Sequence, residues 1–306
     1  MRFKPQLNLL NIFSLTGDSV HPFYYRKYSG DVVDSWSFED IISASGICPE
    51  DATVVVDKGF MSDGNIKYLK EIGLKYIIPL RRGNHFVKDK VPQSSDGYEE
   101  SFTFSGRSIL SSCMYDDGNI RVYLFRDIDL LRDEESDIIR RLEGKNNATE
   151  LKRKKEMERR ARGKGCFSDE ELNNMIAIKA SEELAKYPER GTITIMTDRV
   201  ELNAVQIYSI YKQRQTIEQG FKTYDDALLG DSSYMHSDAS FEAWLFLNHL
   251  SMMMVYDAMD VIYKKGLSKI YSFDMFRRLL SKIRALRNGD EWIPCRYTKN
   301  TGALLN

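Results

Sequence analysis

Apolar and polar positions in the first 82 residues alternate between strand-like and helix-like textures. Residues 7–15 (LNLLNIFSL) form an apolar run broken by two asparagines, and it stops at the turn residues Thr16-Gly17-Asp18. The aromatic-rich residues 22–28 (PFYYRKY) stop at Ser29-Gly30-Asp31, and the two runs predict an antiparallel strand pair. Residues 37–44 (SFEDIISA) place Phe38, Ile41 and Ile42 at helical spacing behind Ser37 as N-cap, with Gly46 beyond. Residues 52–56 (ATVVV) read as a strand buried on both faces, ending abruptly at Asp57-Lys58-Gly59-Phe60. A helix opens at Asp63-Gly64-Asn65 and is stopped by Gly73, and residues 75–80 (KYIIPL) are another buried strand. The order β-β-α-β-α-β predicts a mixed α/β sheet flanked by helices.

The texture changes after Arg82. Short alternating stretches within 101–127, with a turn at Asp116-Asp117-Gly118, predict a small antiparallel β unit, followed by a highly charged stretch. Residues 83–190 therefore read as an insertion between 1–82 and 191–265, the two parts of the α/β core. The core resumes at Thr192–Met196 (TITIM), followed by one long helix from about Leu202 to Ala227 and a second from about Phe241 to Tyr263. Residues 266–306 form a basic tail, with an amphipathic helix expected from Ser272 to Arg287.

Composition is that of a globular protein, and no apolar run approaches the roughly 20 residues that cross a bilayer. With no apolar stretch at the N-terminus, a cytoplasmic location without membrane contact is expected. Cys48, Cys113, Cys166 and Cys295 lie at least 53 residues apart, so neither a zinc motif nor a disulfide framework is expected. The net charge of −1 argues against a nucleic-acid partner only until it is divided. Residues 1–82 carry 0, 83–139 carry −6, 140–164 carry +7, 165–266 carry −7 and 267–306 carry +5. The basic segment around Lys152, Arg153, Lys154 and Lys155, and the basic tail, are electrostatic footprints for a phosphate backbone, or solvated faces.

Two features carry candidate chemistry. Asp57 ends a Val-Val-Val strand, where α/β sheets place their ligands; Gly59 nearby also suits a turn or capping aspartate. In YKQRQTIEQGFK, Tyr211, Arg214, Glu218 and Lys222 share a helical stripe about 80° wide, beside the apolar stripe of Ile207, Ile210, Ile217 and Phe221. That stripe is either a solvated face with an Arg214–Glu218 pair or a functional line. An aspartate and a glutamate on one sheet-and-helix unit are the oxygen ligands that Mg²⁺ prefers, and two such ions serve phosphodiester chemistry. Arg214 and Lys222 would then hold phosphate and Tyr211 would bond or stack. The histidines lack metal-ligand spacing, Met252-Met253-Met254 reads as core, and no phosphate-binding glycine loop is present.

The pattern Tyr211-x2-Arg214-x3-Glu218 resembles the signature around the catalytic glutamate of DDE transposases of the insertion-sequence-4 type. DKGF at Asp57–Phe60, with the SDGNIKYLKEIGLKYIIPLRR that follows, is similar to that family's segment around its second aspartate. Residues 5–34 look like its paired strands. The resemblance, from about Lys4 to Asp260, implies an RNase H-like core interrupted by a β-rich insertion. It also implies Asp57 and Glu218 as catalytic residues and ligands of Mg²⁺ (or Mn²⁺) in a two-metal site. The implied activity is cut-and-paste transposition: nicking of DNA at the element's ends, then attack of the 3′-hydroxyl on target DNA, with a homodimer as the working complex. Two positions depart from the pattern. Asp225 stands where the family has a Lys, leaving Lys222 as the nearest cation. The family's first aspartate lies on a strand upstream of residues 7–15, so a chain lacking that strand is expected; of Asp18, Asp31, Asp34 and Asp40, Asp34 is the candidate substitute. The alternatives are another RNase H-like nuclease, or a non-catalytic DNA-binding or dimerising fragment.

Overall fold

The computed structural model describes residues 7–16, 19–29, 32, 34–49, 52–88, 90–92, 94–141, 144, 188–228, 237–267 and 270–295. Two compact units emerge: residues 1–33, 43–45 and 213–306 in the first, and residues 34–42 and 46–212 in the second.

The first unit opens with β1 (Leu7–Thr16) and β2 (Ser19–Ser29), the antiparallel pair that the two apolar runs predict. Its helices are α5 (Arg214–Leu228), α6 (Asp238–Lys264) and α7 (Phe273–Leu280), followed by the ribbon β9 (Ala285–Asn288) and β10 (Glu291–Pro294). Apolar faces drive the packing: Val20, Met252 and Tyr256 are buried together, with Phe13, Ile217 and Phe221 against them. Polar contacts fix α6 to the hairpin as well. Ser19 Oγ donates to Asp260 Oδ1 at 2.9 Å, and His21 meets Asp257 at 3.1 Å. Of the methionine run only Met252 is core; Met254 is 72% exposed.

The second unit is built on a six-stranded mixed sheet of β3 (Thr53–Val55), β4 (Lys75–Leu80), β5 (Glu100–Phe104), β6 (Arg107–Asp116), β7 (Arg121–Asp127) and β8 (Thr192–Thr197). The strand order is β3-β4-β8-β7-β6-β5, and only β3 and β4 are parallel. The β5–β7 meander arises from alternation of the two faces, interrupted once by a register shift between Cys113 and Tyr115. Ile109, Tyr123 and Phe125 face one side with Ile77 and Ile195; Leu110 and Leu124 face the other with Val87 and Tyr98. Ser105 and Gly106, both at positive φ (48° and 80°), make the tight β5–β6 turn. Because β7 pairs directly with β8, these strands extend the core sheet rather than form a separate unit. Helices α1 (Asp34–Ser45), α2 (Asp63–Glu71), α3 (residues 128–141) and α4 (Ala204–Lys212) complete the elements. Ala204, Ile207, Tyr208 and Tyr211 of α4 pack on the sheet face that carries Ile77 and Ile195.

Four local expectations are corrected. Ser37 is not an N-cap, because α1 starts at Asp34 and Ser37 lies buried within it. β3 is not buried on both faces: it is an edge strand with half-buried residues and β4 as its ladder partner. The single helix expected from Leu202 is two helices with a break at Gln213, where the boundary between the units falls. The C-terminal amphipathic helix stops at Leu280, and the residues beyond it turn into β9.

Candidate functional site

Asp57 lies two residues past the end of β3, and the intervening Val56 donates its N–H to Ile77 O (3.4 Å), continuing the line of the strand. It has extended backbone, and its carboxylate accepts from Lys58 N at 2.6 Å, capping a 3₁₀ turn over Lys58–Phe60. The turn aspartate and the strand-end aspartate are thus the same residue, with an exposed side chain. The turn is pinned from behind by Asn65, which is 3% exposed and donates from Nδ2 to Phe60 O at 2.7 Å. Asn65 is held in turn by the cap of α2, where Ser62 Oγ accepts from Asn65 N at 3.1 Å. Sequence inspection missed this residue; Ser62-x-x-Asn65 at a helix start was its signal.

Since β3 and β4 run parallel, the sheet edge at which Asp57 leaves β3 also carries Arg81 and Arg82, which follow β4. Glu134 binds Arg82 through both carboxylate oxygens (3.1 and 2.6 Å), while Arg81 is exposed. The opposite edge holds Asp198, which ends β8. Its carboxylate accepts from Tyr76 N (2.8 Å) and meets Lys75 at 3.5 Å. Asp198 therefore ties strand ends together, away from the edge with Asp57.

In the first unit, α5 presents Arg214, Glu218 and Lys222 at i, i+4 and i+8. Glu218 is 59% exposed and pairs with Arg214 at 3.1 Å, one turn earlier. Ile217 and Phe221 on the adjacent stripe face the hairpin and α6, so packing turns Glu218 outward. Gly220 allows that packing, because a Cβ there would lie 2.0 Å from the Tyr256 ring, and Tyr256 Oη donates to Ile217 O at 2.7 Å.

Tyr211 does not belong to this line. It ends on α4 in the second unit, 7% exposed within the sheet core. The expected stripe of four therefore reduces to Arg214, Glu218 and Lys222. Asp34 opens α1 and does not end a strand. Lys152, Arg153, Lys154 and Lys155, together with Asp18, Asp31, Cys166 and His236, lie outside the described residues. Cys48, Cys113 and Cys295 are free thiols. As hard oxygen donors, the exposed carboxylates of Asp57 and Glu218 suit a divalent ion such as Mg²⁺. Among the described residues no three metal-ligating side chains gather. No described helix is long and apolar enough to cross a membrane.

A mixed sheet flanked by helices, with an aspartate at the end of its parallel pair and a glutamate-bearing helix downstream, defines an α/β protein of RNase H-like type. The chain belongs to the transposase DDE domain family, whose model matches residues 3–254. It is accordingly a DDE transposase-class protein, whose chemistry concerns DNA transposition and recombination. A comparison with curated proteins finds none that matches.

Proposed function

We propose that the chain is a cut-and-paste DNA transposase of the insertion-sequence-4 type, with Asp57 and Glu218 as two carboxylates of its catalytic centre. The observation that carries this reading is Asp57 itself: an exposed carboxylate at the end of a parallel strand, on a turn that buried Asn65 fixes. Glu218 supports it as an exposed acid on a helix whose other face is locked by Tyr256.

In this reading Asp57 and Glu218 hold Mg²⁺ or Mn²⁺ through their oxygens, and Arg214 and Lys222 orient DNA phosphate beside Glu218. Bound divalent ions supply activation of the attacking oxygen and stabilisation of the leaving one. In the first step water adds to a phosphodiester at an element end, and the 3′-oxygen leaves and takes a proton. In the second, that 3′-hydroxyl attacks a target phosphodiester, so one P–O bond forms as another breaks. Arg214 must release Glu218 or share it, which the 3.1 Å surface pair permits at little cost. Two copies of the chain hold the two element ends. The edge position of β3 favours a second reading for the remaining aspartate: a further strand paired to that edge carries it. Without such a strand the chain binds DNA and does not cut it.

The test is calorimetric titration of Mn²⁺ and Mg²⁺ into the purified chain, Asp57→Asn and Glu218→Gln. Each substitution is expected to weaken metal binding at least about tenfold, the loss of one carboxylate ligand. Unchanged affinity in both would remove the two-carboxylate site. Nicking of element-end DNA by the chain alone would exclude the second reading.

A further inference from the structure

Residues 277–287 hold five cations, Arg277, Arg278, Lys282, Arg284 and Arg287, and no carboxylate. The fold displays them along one helix-to-ribbon element. Phe276 anchors α7, buried with Ile262 and flanked by Leu267, Tyr271 and Leu279. At about 100° per residue, that anchor leaves Asp274, Arg277 and Arg278 on the outer side. There both guanidiniums share the single Asp274 carboxylate at 2.8 Å, so the face stays net positive.

Beyond Leu280 the chain turns into the ribbon, and every residue of β9 is exposed. Gly289, at φ +64°, makes the turn, and Cys295 N donates to Arg284 O at 2.6 Å to close the base. Among the described residues neither Lys282 nor Arg284 has an ion-pair partner, and Arg287 meets Asp290 only at 3.7 Å. Over residues 273–294 these five cations stand against three carboxylates, Asp274, Asp290 and Glu291; the excess attracts phosphate, and guanidinium forks match its oxygens. These positions lie beyond residue 254, where the family match ends, so membership assigns them no role.

We infer that α7, residues 281–284 that follow it and β9 form a metal-independent docking surface for the phosphate backbone of duplex DNA, made of residues that the carboxylate site does not use. The inference rests on the DNA-directed reading of the chain. It adds a second place of attachment, with backbone rather than base recognition, because charge and exposure are what the surface offers.

The test is binding of the full chain to a fluorescent duplex of about 30 base pairs in EDTA, between about 50 and 200 mM salt. The triple variant Lys282→Gln, Arg284→Gln, Arg287→Gln is expected to bind at least about tenfold more weakly at the low-salt end. It should also lose about 2–3 from the slope of log affinity on log salt, at about 0.9 per phosphate contact. Native affinity and slope in the triple variant would overturn the inference. So would native DNA binding accompanied by a change in self-association, which would make the surface a protein contact. Should the triple variant fail to fold, Lys282→Gln and Arg284→Gln singly decide: a slope loss of about 0.9 each supports the surface, and native slopes refute it. Metal titration without DNA tests the carboxylate site separately, so either reading can fail alone.

Discussion

Gly220 lies directly under the ring of Tyr256: a Cβ at position 220 would fall 2.0 Å from both Cζ and Oη of that tyrosine. Tyr256 cannot easily retreat. It is 2% exposed, its ring centroid is 5.3 Å from that of Phe13, and its hydroxyl donates to Ile217 O at 2.7 Å. The helix that carries Glu218 is therefore set by a contact only glycine permits. Gly220→Ala should overpack the α5–α6 seam and cost about 1–3 kcal/mol in denaturant unfolding. Tyr256→Phe, which keeps the ring and removes the hydroxyl, should cost only about 1 kcal/mol. A fully stable Gly220→Ala variant would show that the close approach is not native.

Asn65 reaches the chemistry only through the Asp57 turn. Replacing it by Ala leaves Phe60 O without its 2.7 Å partner and opens a small void at a 3% exposed position. The expected cost is about 1–3 kcal/mol, the range for an orphaned buried acceptor. Metal affinity should fall too, because the Asp57 side chain loses its fixed starting geometry, and Asn65→Asp should not restore it, since an ionised carboxylate has no hydrogen to donate to Phe60 O. Native metal affinity in a folded Asn65→Ala chain would restrict Asn65 to a purely structural role.

How much of this was legible follows from where each signal sits. Asp57 was legible because a Val-Val-Val run stops dead at Asp-Lys-Gly, a local pattern. The edge position of β3 was not, since a short β-branched run reads the same at an edge as at a centre, and only strand order decides. The break at Gln213 left no local mark either. Neither glycine nor proline stands there, and the apolar period continues through it. The cause is tertiary: Ile207, Tyr208 and Tyr211 serve the six-stranded sheet, whereas Ile217 and Phe221 serve the hairpin and α6. That same split moved Tyr211 out of the predicted stripe. The β9–β10 ribbon escaped because residues 281–287 keep helical spacing, which the Asn288-Gly289 turn overrides.

Asp198 should matter for the sheet and not for the site. Its carboxylate accepts from Tyr76 N at 2.8 Å, and Tyr76 is fully buried. Asp198→Ala orphans that donor and should cost about 1–3 kcal/mol, while the Lys75 pair contributes little on a half-exposed lysine. Burial, and secondarily the Asp198 charge, pushes the Tyr76 phenol up to about 12. A phenol raised this way stabilises the fold below the ordinary tyrosine range, and that contribution is lost as pH rises through the folded value. Asp198→Asn should therefore leave a high Tyr76 titration only modestly lowered in ultraviolet difference spectra, since burial dominates. A return to the ordinary value would mean that Asp198, and not burial, sets it.

His249 gives the fold a pH dependence of its own. Its ring centroid lies 4.7 Å from that of Tyr25, and its Nδ1 is buried without a hydrogen-bond partner among the described residues. Burial pushes its pKa below the ordinary histidine value. The folded state thus holds the neutral ring while the unfolded chain takes up a proton below about pH 6.5. Stability should be fully present above that value and fall as pH drops through it towards the depressed folded pKa, because the unfolded state binds more protons there. The lowered carboxylates Asp116, Asp117, Asp260 and Asp274 lose their contributions only in the more acidic carboxylate range, so the two windows separate. His249→Phe keeps an aromatic ring against Tyr25 and removes the titration. Unfolding free energies measured from about pH 7.5 to about pH 5 should fall for the native chain and stay flatter for the variant. Parallel curves would mean that His249 is protonated as readily in the fold as outside it.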